Sequence, residues 1–217
     1  MNVEKLKQKI LDLAIRGKLV PQDPNDEPAS VLIEKIHAEK EALIKQGKIK
    51  RDKNESYIFK GDDNSYYEKV NGETKKINVP FDIPTTWEWV RLCSLGQVIG
   101  GGTPSTEIKA YWDKGTISWI TPADMGEHRT KYISFTQRKI SELGLSQSSA
   151  TLMPPNSIVL SSRAPIGYLG ITKIPLCTNQ GCKSVVPYLQ ESVEYLYYAI
   201  MMAIPNIKER ASGTTFK

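Results

Sequence analysis

Gly100-Gly101-Gly102-Thr103-Pro104-Ser105 is the stretch of this 217-residue chain that most invites a ligand. A glycine-rich turn lets a bound group come close to the backbone, and a phosphate-binding loop uses one to open a helix. That chemistry also needs a lysine to neutralise phosphate and a Ser or Thr beside it to hold magnesium. Here Thr103, Pro104 and Ser105 follow, Lys109 comes too late, and Pro104 has no N–H to offer an anion. The dinucleotide fingerprint fails as well, because no later glycine falls in register. Two readings of the glycines stay open: close approach of a polyanion, or a tight turn out of a strand.

Other constellations are weaker. Met153-Pro154-Pro155-Asn156 resembles the proline-containing tetrad of amino-methyltransferases but lacks its leading Asn and trailing aromatic, so it reads as a turn before a strand. Asp124 and Glu127 stand near each other without the Glu-x-Lys that a nuclease needs for magnesium. His37 and His128 are the chain's two histidines; neither neighbours a nucleophile elbow, and both read as solvated. Cys177 and Cys182 have a zinc-like spacing, but Cys93 and the two distant histidines do not complete a four-ligand set. Buried free thiols are the expectation, with no metal and no catalytic residue. An odd, small cysteine count points to a reducing cytoplasm.

What remains is a set of polar and basic groups at loop positions: Thr103, Ser105, Thr121, Asp124, Arg129, Arg163, Lys173, Asn179, Gln180, Lys183 and the terminal Ser-Gly-Thr-Thr-Phe-Lys. Arg, Lys, Asn and Gln read base edges, while Ser, Thr and backbone N–H groups hold phosphates. Two amides at Asn179-Gln180, between apolar strands, need partners; nearby backbone and a ligand are equal alternatives.

The elements that position these groups follow from periodicity. Val3, Leu6, Ile10, Leu13 and Ala14 share one face of a helix that Gly17 stops; Leu32, Ile33, Ile36, Leu43 and Ile44 stripe a second, entered at Pro28 and ended at Gly47. Each needs a partner, either the rest of the chain or another subunit. Residues 51–83 are polar and read as a linker with one short hairpin at Asn71-Gly72. Beyond Pro84 all four tryptophans cluster, short strands alternate with short helices without a βαβ rhythm, and the apolar run Tyr195–Ile204 predicts a buried helix. The predicted fold class is α+β: an N-terminal helical element (1–50), the polar linker (51–83) and a mixed α+β domain (84–217). Trp87, Trp112 and Trp119 are expected to fill the core or support loops. The formal charge is +5, distributed as +3 over residues 1–53, −2 over 54–85 and +4 over 86–217. That is compatible with a polyanion partner. The longest apolar run is too short to span a bilayer, so a cytoplasmic protein with no membrane contact is expected.

Two stretches resemble the specificity (S) subunit of type I restriction–modification systems. The first, LKQKILDLAIRGKLVPQDPNDEPASVLIEKIHAEKEALIKQGKIK, is similar to the helical element at the amino end of many such subunits. The second runs from IPTTWEWVRL through GGGTPST, YWDKGTISWITPADM, SSRAPIGYLGI, TNQGCKSVVP and YLYYAI to GTTFK, and is similar to a target recognition domain. The resemblance implies a non-catalytic subunit that reads one half of a split double-stranded DNA target through the major groove. It implies methyltransferase (modification) subunits as partners, which bind S-adenosylmethionine, and a restriction subunit that uses ATP and magnesium; no cofactor belongs to this chain. Gly102, Thr103, Ser105, Thr121, Arg163, Asn179, Gln180, Lys183 and Thr214 are the expected DNA contacts. Family members continue past GTTF into a long helix and a second recognition domain, so the chain reads as a fragment or as a half-subunit that could self-dimerise. Two other classes compete: a protein-interaction scaffold docking methyltransferase subunits without reading DNA, and a nucleotide-dependent transferase using the Gly-rich loop.

Overall fold

The computed structural model describes residues 2–52, 54–128, 130–163 and 165–212. The chain divides into two compact units, Met1–Gly96 and Gln97–Lys217.

The first unit opens with two helices, α1 (Val3–Ile15) and α2 (Ala29–Lys45). Helix α1 ends where the Lys18 N–H returns to the Leu13 carbonyl at 2.8 Å. Val3, Leu6 and Ile10 of its apolar stripe remain exposed. Helix α2 buries Ile36 and, one turn on, Lys40, whose ammonium meets Glu55 at 2.6 Å. The segment expected to be a linker is instead a three-stranded antiparallel sheet, β1 (Ser56–Lys60), β2 (Tyr66–Val70) and β3 (Glu73–Ile77), in that order. Its strands are at most half-buried: every residue of β2 is partly covered, while β3 is exposed up to Ile77. The β2–β3 turn carries Asn71 and Gly72 at φ 49° and 88°, the paired left-handed conformation of a tight hairpin. Arg91 clamps Glu68 of β2 through both carboxylate oxygens, the Nε contact at 2.7 Å. Residues 87–90 form no strand, and a short helix α3 (Leu92–Leu95) follows.

The second unit is a mixed α+β fold. A five-stranded sheet has the order β4-β11-β8-β9-β6, from β4 (Gly96–Gly100), β6 (Tyr132–Ile133), β8 (Ile158–Ser161), β9 (Leu169–Thr172) and β11 (Cys182–Pro187). A three-stranded sheet has the order β10-β5-β7, from β5 (Ile117–Ile120), β7 (Arg138–Ile140) and β10 (Leu176–Thr178). Strands β10 and β5 are parallel, and β5 and β7 antiparallel. Ile120, Met125, Ile133, Met153, Val159 and Leu176 form one core cluster; Trp119, Ile140 and Cys177 belong to a second. Each such aliphatic side chain, fully buried, contributes about 1.5–3 kcal/mol.

Two short helices and one long one are added: α4 (Pro122–Gly126), in a stretch expected to be loop, α5 (Glu142–Ser146), capped by Ser141, and the 20-residue α6 (Val193–Ser212). Helix α6 is less buried than its apolar run suggested. Leu196, Tyr197 and Ile200 face inward, while Tyr195 and Tyr198 are exposed. Met153-Pro154-Pro155-Asn156 is a turn before β8, with Met153 bridged to Leu176 and 1% exposed.

Candidate functional site

Topology gathers the ends of several strands. Parallel β10 and β5 finish side by side at Thr178 and Ile120, and antiparallel β7 starts opposite them, Arg138 facing Trp119 across the ladder. In the larger sheet β8 ends at Ser161 where β11 begins at Cys182. The loops leaving these ends, around residues 101–106, 121–124, 162–163 and 178–181, are tied to one another by hydrogen bonds. Asn179 N–H reaches the Ile120 carbonyl (3.0 Å), Gly102 N–H the Thr178 carbonyl (2.9 Å), and the N–H groups of Ser162 and Arg163 the Gly181 carbonyl (2.8 and 3.2 Å).

The glycine-rich loop lies against this junction. A Cβ on Gly101 would sit 1.9 Å from the Asn179 carbonyl oxygen, and one on Gly102 would sit 2.4 Å from the Ser149 backbone. The glycines therefore serve close packing of chain on chain, which is neither of the two readings open from the sequence. Two tryptophans fix the loop by its carbonyls. The indole N–H of buried Trp119 donates to Gly102 O at 2.9 Å, and that of Trp112 to Ser105 O at 3.0 Å. Their rings meet edge-on with centroids 5.1 Å apart. Thr103 and Ser105 are left exposed on the outer side, and the Thr103 hydroxyl donates to the Gln180 side-chain oxygen.

The expected contact residues separate by exposure. Thr103, Ser105, Arg163, Gln180 and Lys183 are exposed; the Lys183 ammonium would lie 3.4 Å from a Cβ on Gly100, at the root of the loop. Gly102 is buried and presents only backbone. Asn179 is half-buried, and its side-chain oxygen accepts the Gly181 N–H at 2.9 Å, the local turn bond that such residues favour. Thr121, 8% exposed, caps α4: its hydroxyl donates to Asp124 Oδ2 (2.8 Å), while Asp124 also accepts the Thr121 N–H (2.9 Å). Thr214 and Arg129 lie outside the described residues. Lys173 follows β9 at the opposite end of the sheet, bonded to Asn156 at 3.2 Å.

Sequence reasoning passed over Arg138. Its Nη2 donates to Asp124 Oδ2 (2.8 Å) and Thr121 Oγ1 (3.0 Å), and its guanidinium carbon lies 4.7 Å from the centroid of the Trp119 ring. Burial raises the Asp124 carboxyl, but the bonds from Arg138 and Thr121 outweigh it and hold the acid below its ordinary value. Nothing in the local spacing marks this arginine; only the strand register sets it on Trp119.

Chemistry of other kinds finds little support among the described residues. No three His, Cys, Asp or Glu side chains gather as metal ligands. Cys177 and Cys182 are free and buried, and burial pushes both thiols up to about 12. His37 is exposed, and His128 packs on Phe135 at 5.0 Å between centroids. Among the described residues, no helix is long and apolar enough to cross a membrane.

The loops described above converge on a polar, exposed surface. Residues 84–217 match the family described as Type I restriction modification DNA specificity domain, and the chain belongs to that family. The Type I restriction enzyme MjaIX specificity subunit of Methanocaldococcus jannaschii is 42% identical over 136 residues, 62% of this chain and 31% of that protein. The EcoAI specificity subunit of Escherichia coli is 45% identical over 118 residues, 54% of this chain and 16% of that protein. Among solved structures, the HsdS subunit from Thermoanaerobacter tengcongensis aligns over 60% of this chain and 31% of its own, at 22% identity and a TM-score of 0.46. The chain spans less than a third of the length of the curated relatives it matches.

Proposed function

We propose that this chain reads one part of a double-stranded DNA target by sequence, as the non-catalytic recognition component of a type I restriction–modification complex. The observation that carries the reading is the convergence, within the family-matched segment, of exposed Thr103, Ser105, Arg163 and Gln180 from loops up to 77 residues apart, with exposed Lys183 beside them at the start of β11. Donors and acceptors on a tied framework suit base edges, and the lysine suits phosphate. Modification subunits carrying S-adenosylmethionine supply the methyl transfer in this reading, and a restriction subunit with ATP and magnesium the cleavage.

The test is an exchange. Residues 84–217 are replaced by the matching segment of another family member in the intact system, and methylated sites are mapped genome-wide. One half of the split target is expected to follow the exchanged segment. An unchanged target would remove the reading.

The exposed apolar stripe of α1, with Val3 at 66% and Ile10 at 43%, favours a second role for residues 1–50 as a docking face for another subunit. Val3 and Ile10 changed together to glutamate should then weaken co-purification with the modification subunits without altering the target read.

A further inference from the structure

Arg138 is held in place yet only partly engaged. Both its hydrogen bonds, to Asp124 and to Thr121, fall on Nη2, and its face rests on Trp119. Its Nε and Nη1 make no hydrogen bond with the described residues, and its side chain is 48% exposed. Asp124 does not need Arg138 for satisfaction, because it already accepts the N–H and hydroxyl of Thr121 within the α4 cap. An ion pair this exposed contributes little to stability. What the arrangement does is fix the direction of a guanidinium. An arginine ordered in advance loses less side-chain freedom when it donates to a ligand, and aromatic stacking and a carboxylate are the groups that order it best.

Its location gives that orientation a use. Arg138 starts β7 at the end of the small sheet where β5 and β10 finish, beside the loops that carry Gln180 and Thr103. The same Trp119 that it rests on holds Gly102 through the indole N–H. One buried tryptophan thus sets both the loop and the arginine.

We propose that Arg138 is a specificity-determining residue, donating through its unengaged Nη1 to an acceptor (O6 or N7) on the major-groove edge of one guanine in the DNA target, with Asp124 and Trp119 as its positioning residues. This rests on the DNA-reading function proposed above. A phosphate contact would not need a cation aimed this way, since a flexible lysine serves there as a point charge.

The experiment uses the complete modification complex assembled with this chain. Methylation is measured on the wild-type target and on duplexes carrying each single-base substitution, for wild type, R138K, R138A and D124N, at two salt concentrations, with melting temperatures recorded. R138K and R138A are expected to lose about ten- to a hundredfold discrimination at a single guanine and to keep it elsewhere. D124N should show a smaller loss at that same position. R138K keeping full discrimination at every position would overturn the assignment. So would a uniform loss on all sequences, whether it comes with a shallower salt dependence, as for a phosphate contact, or with a lowered melting temperature, as for a structural ion pair. A wild-type complex that methylates all sequences alike would instead overturn the DNA-reading function, so the two failures are distinct.

Discussion

Gly101 shows how a residue can be read correctly as special and wrongly as to cause. Three consecutive glycines announce a close approach, but the sequence does not say to what. The approach is to the chain itself, at Asn179 and Ser149, residues 78 and 47 positions away from Gly101 and Gly102. Such contacts are set by strand order, which no local pattern encodes. Gly101→Ala places a methyl where the Asn179 carbonyl oxygen now stands, so the loop must lift off the junction. The expected cost is about 2 kcal/mol, read as a melting temperature lowered by several degrees. A variant as stable as the parent would show that the loop has another place to go. Asn179 makes the converse point. Its turn-forming role was one of two alternatives from sequence, and the bond from Gly181 N–H gives its oxygen a partner within the fold.

Elements with strong local signals were legible: the helices α1 and α2 fall where apolar spacing puts them, and β8 follows the turn at residues 153–156. The β1–β3 sheet was not, apart from its Asn71-Gly72 turn. Its strands are rich in Lys, Glu and Thr, its aromatic residues Tyr57 and Phe59 are exposed, and no buried face alternates with an exposed one, so composition suggested loop. That sheet depends on the clamp between Arg91 and Glu68. The hydrogen bond from Arg91 holds the Glu68 carboxyl down to about 2, from an ordinary 4.5. The sign follows from the direction: a depressed carboxyl stabilises the folded chain fully above about 4.5, and the contribution disappears as pH falls toward 2. Glu68→Gln should be less stable than the parent by about 1–2 kcal/mol above pH 5, and the gap should close through that window. This is less than the full shift implies, because Arg91 is 49% exposed and screened by solvent. Urea unfolding at pH 2 to 6 measures it; a gap independent of pH would show that the clamp does not survive in solution.

Across the whole chain, the predicted fold class and the Pro84 composition change were readable, because tryptophan density and mixed short elements are global properties. The convergence of loops was not, because the order β10-β5-β7 and the placement of β11 between β4 and β8 put residues far apart in sequence side by side. Cysteine distribution tests the packing of that whole. Cys177 and Cys182 are fully buried and Cys93 is exposed. With both buried thiols pushed up to about 12, at pH 8 only about one in ten thousand is thiolate. Native protein should take up one alkyl group per chain from iodoacetamide, at Cys93, and denatured protein three; rapid native labelling at Cys177 would contradict the core described above. The tie between two indoles and two carbonyls of the glycine-rich loop has a broader consequence. Because Trp119 and Trp112 grip backbone oxygens and not side chains, these two holds on the loop remain whatever Thr103 and Ser105 are replaced by. The indole grips and the side chains the loop displays are separate atoms, so under the proposed DNA-reading function descendants of this domain are free to acquire new targets one substitution at a time with those grips in place.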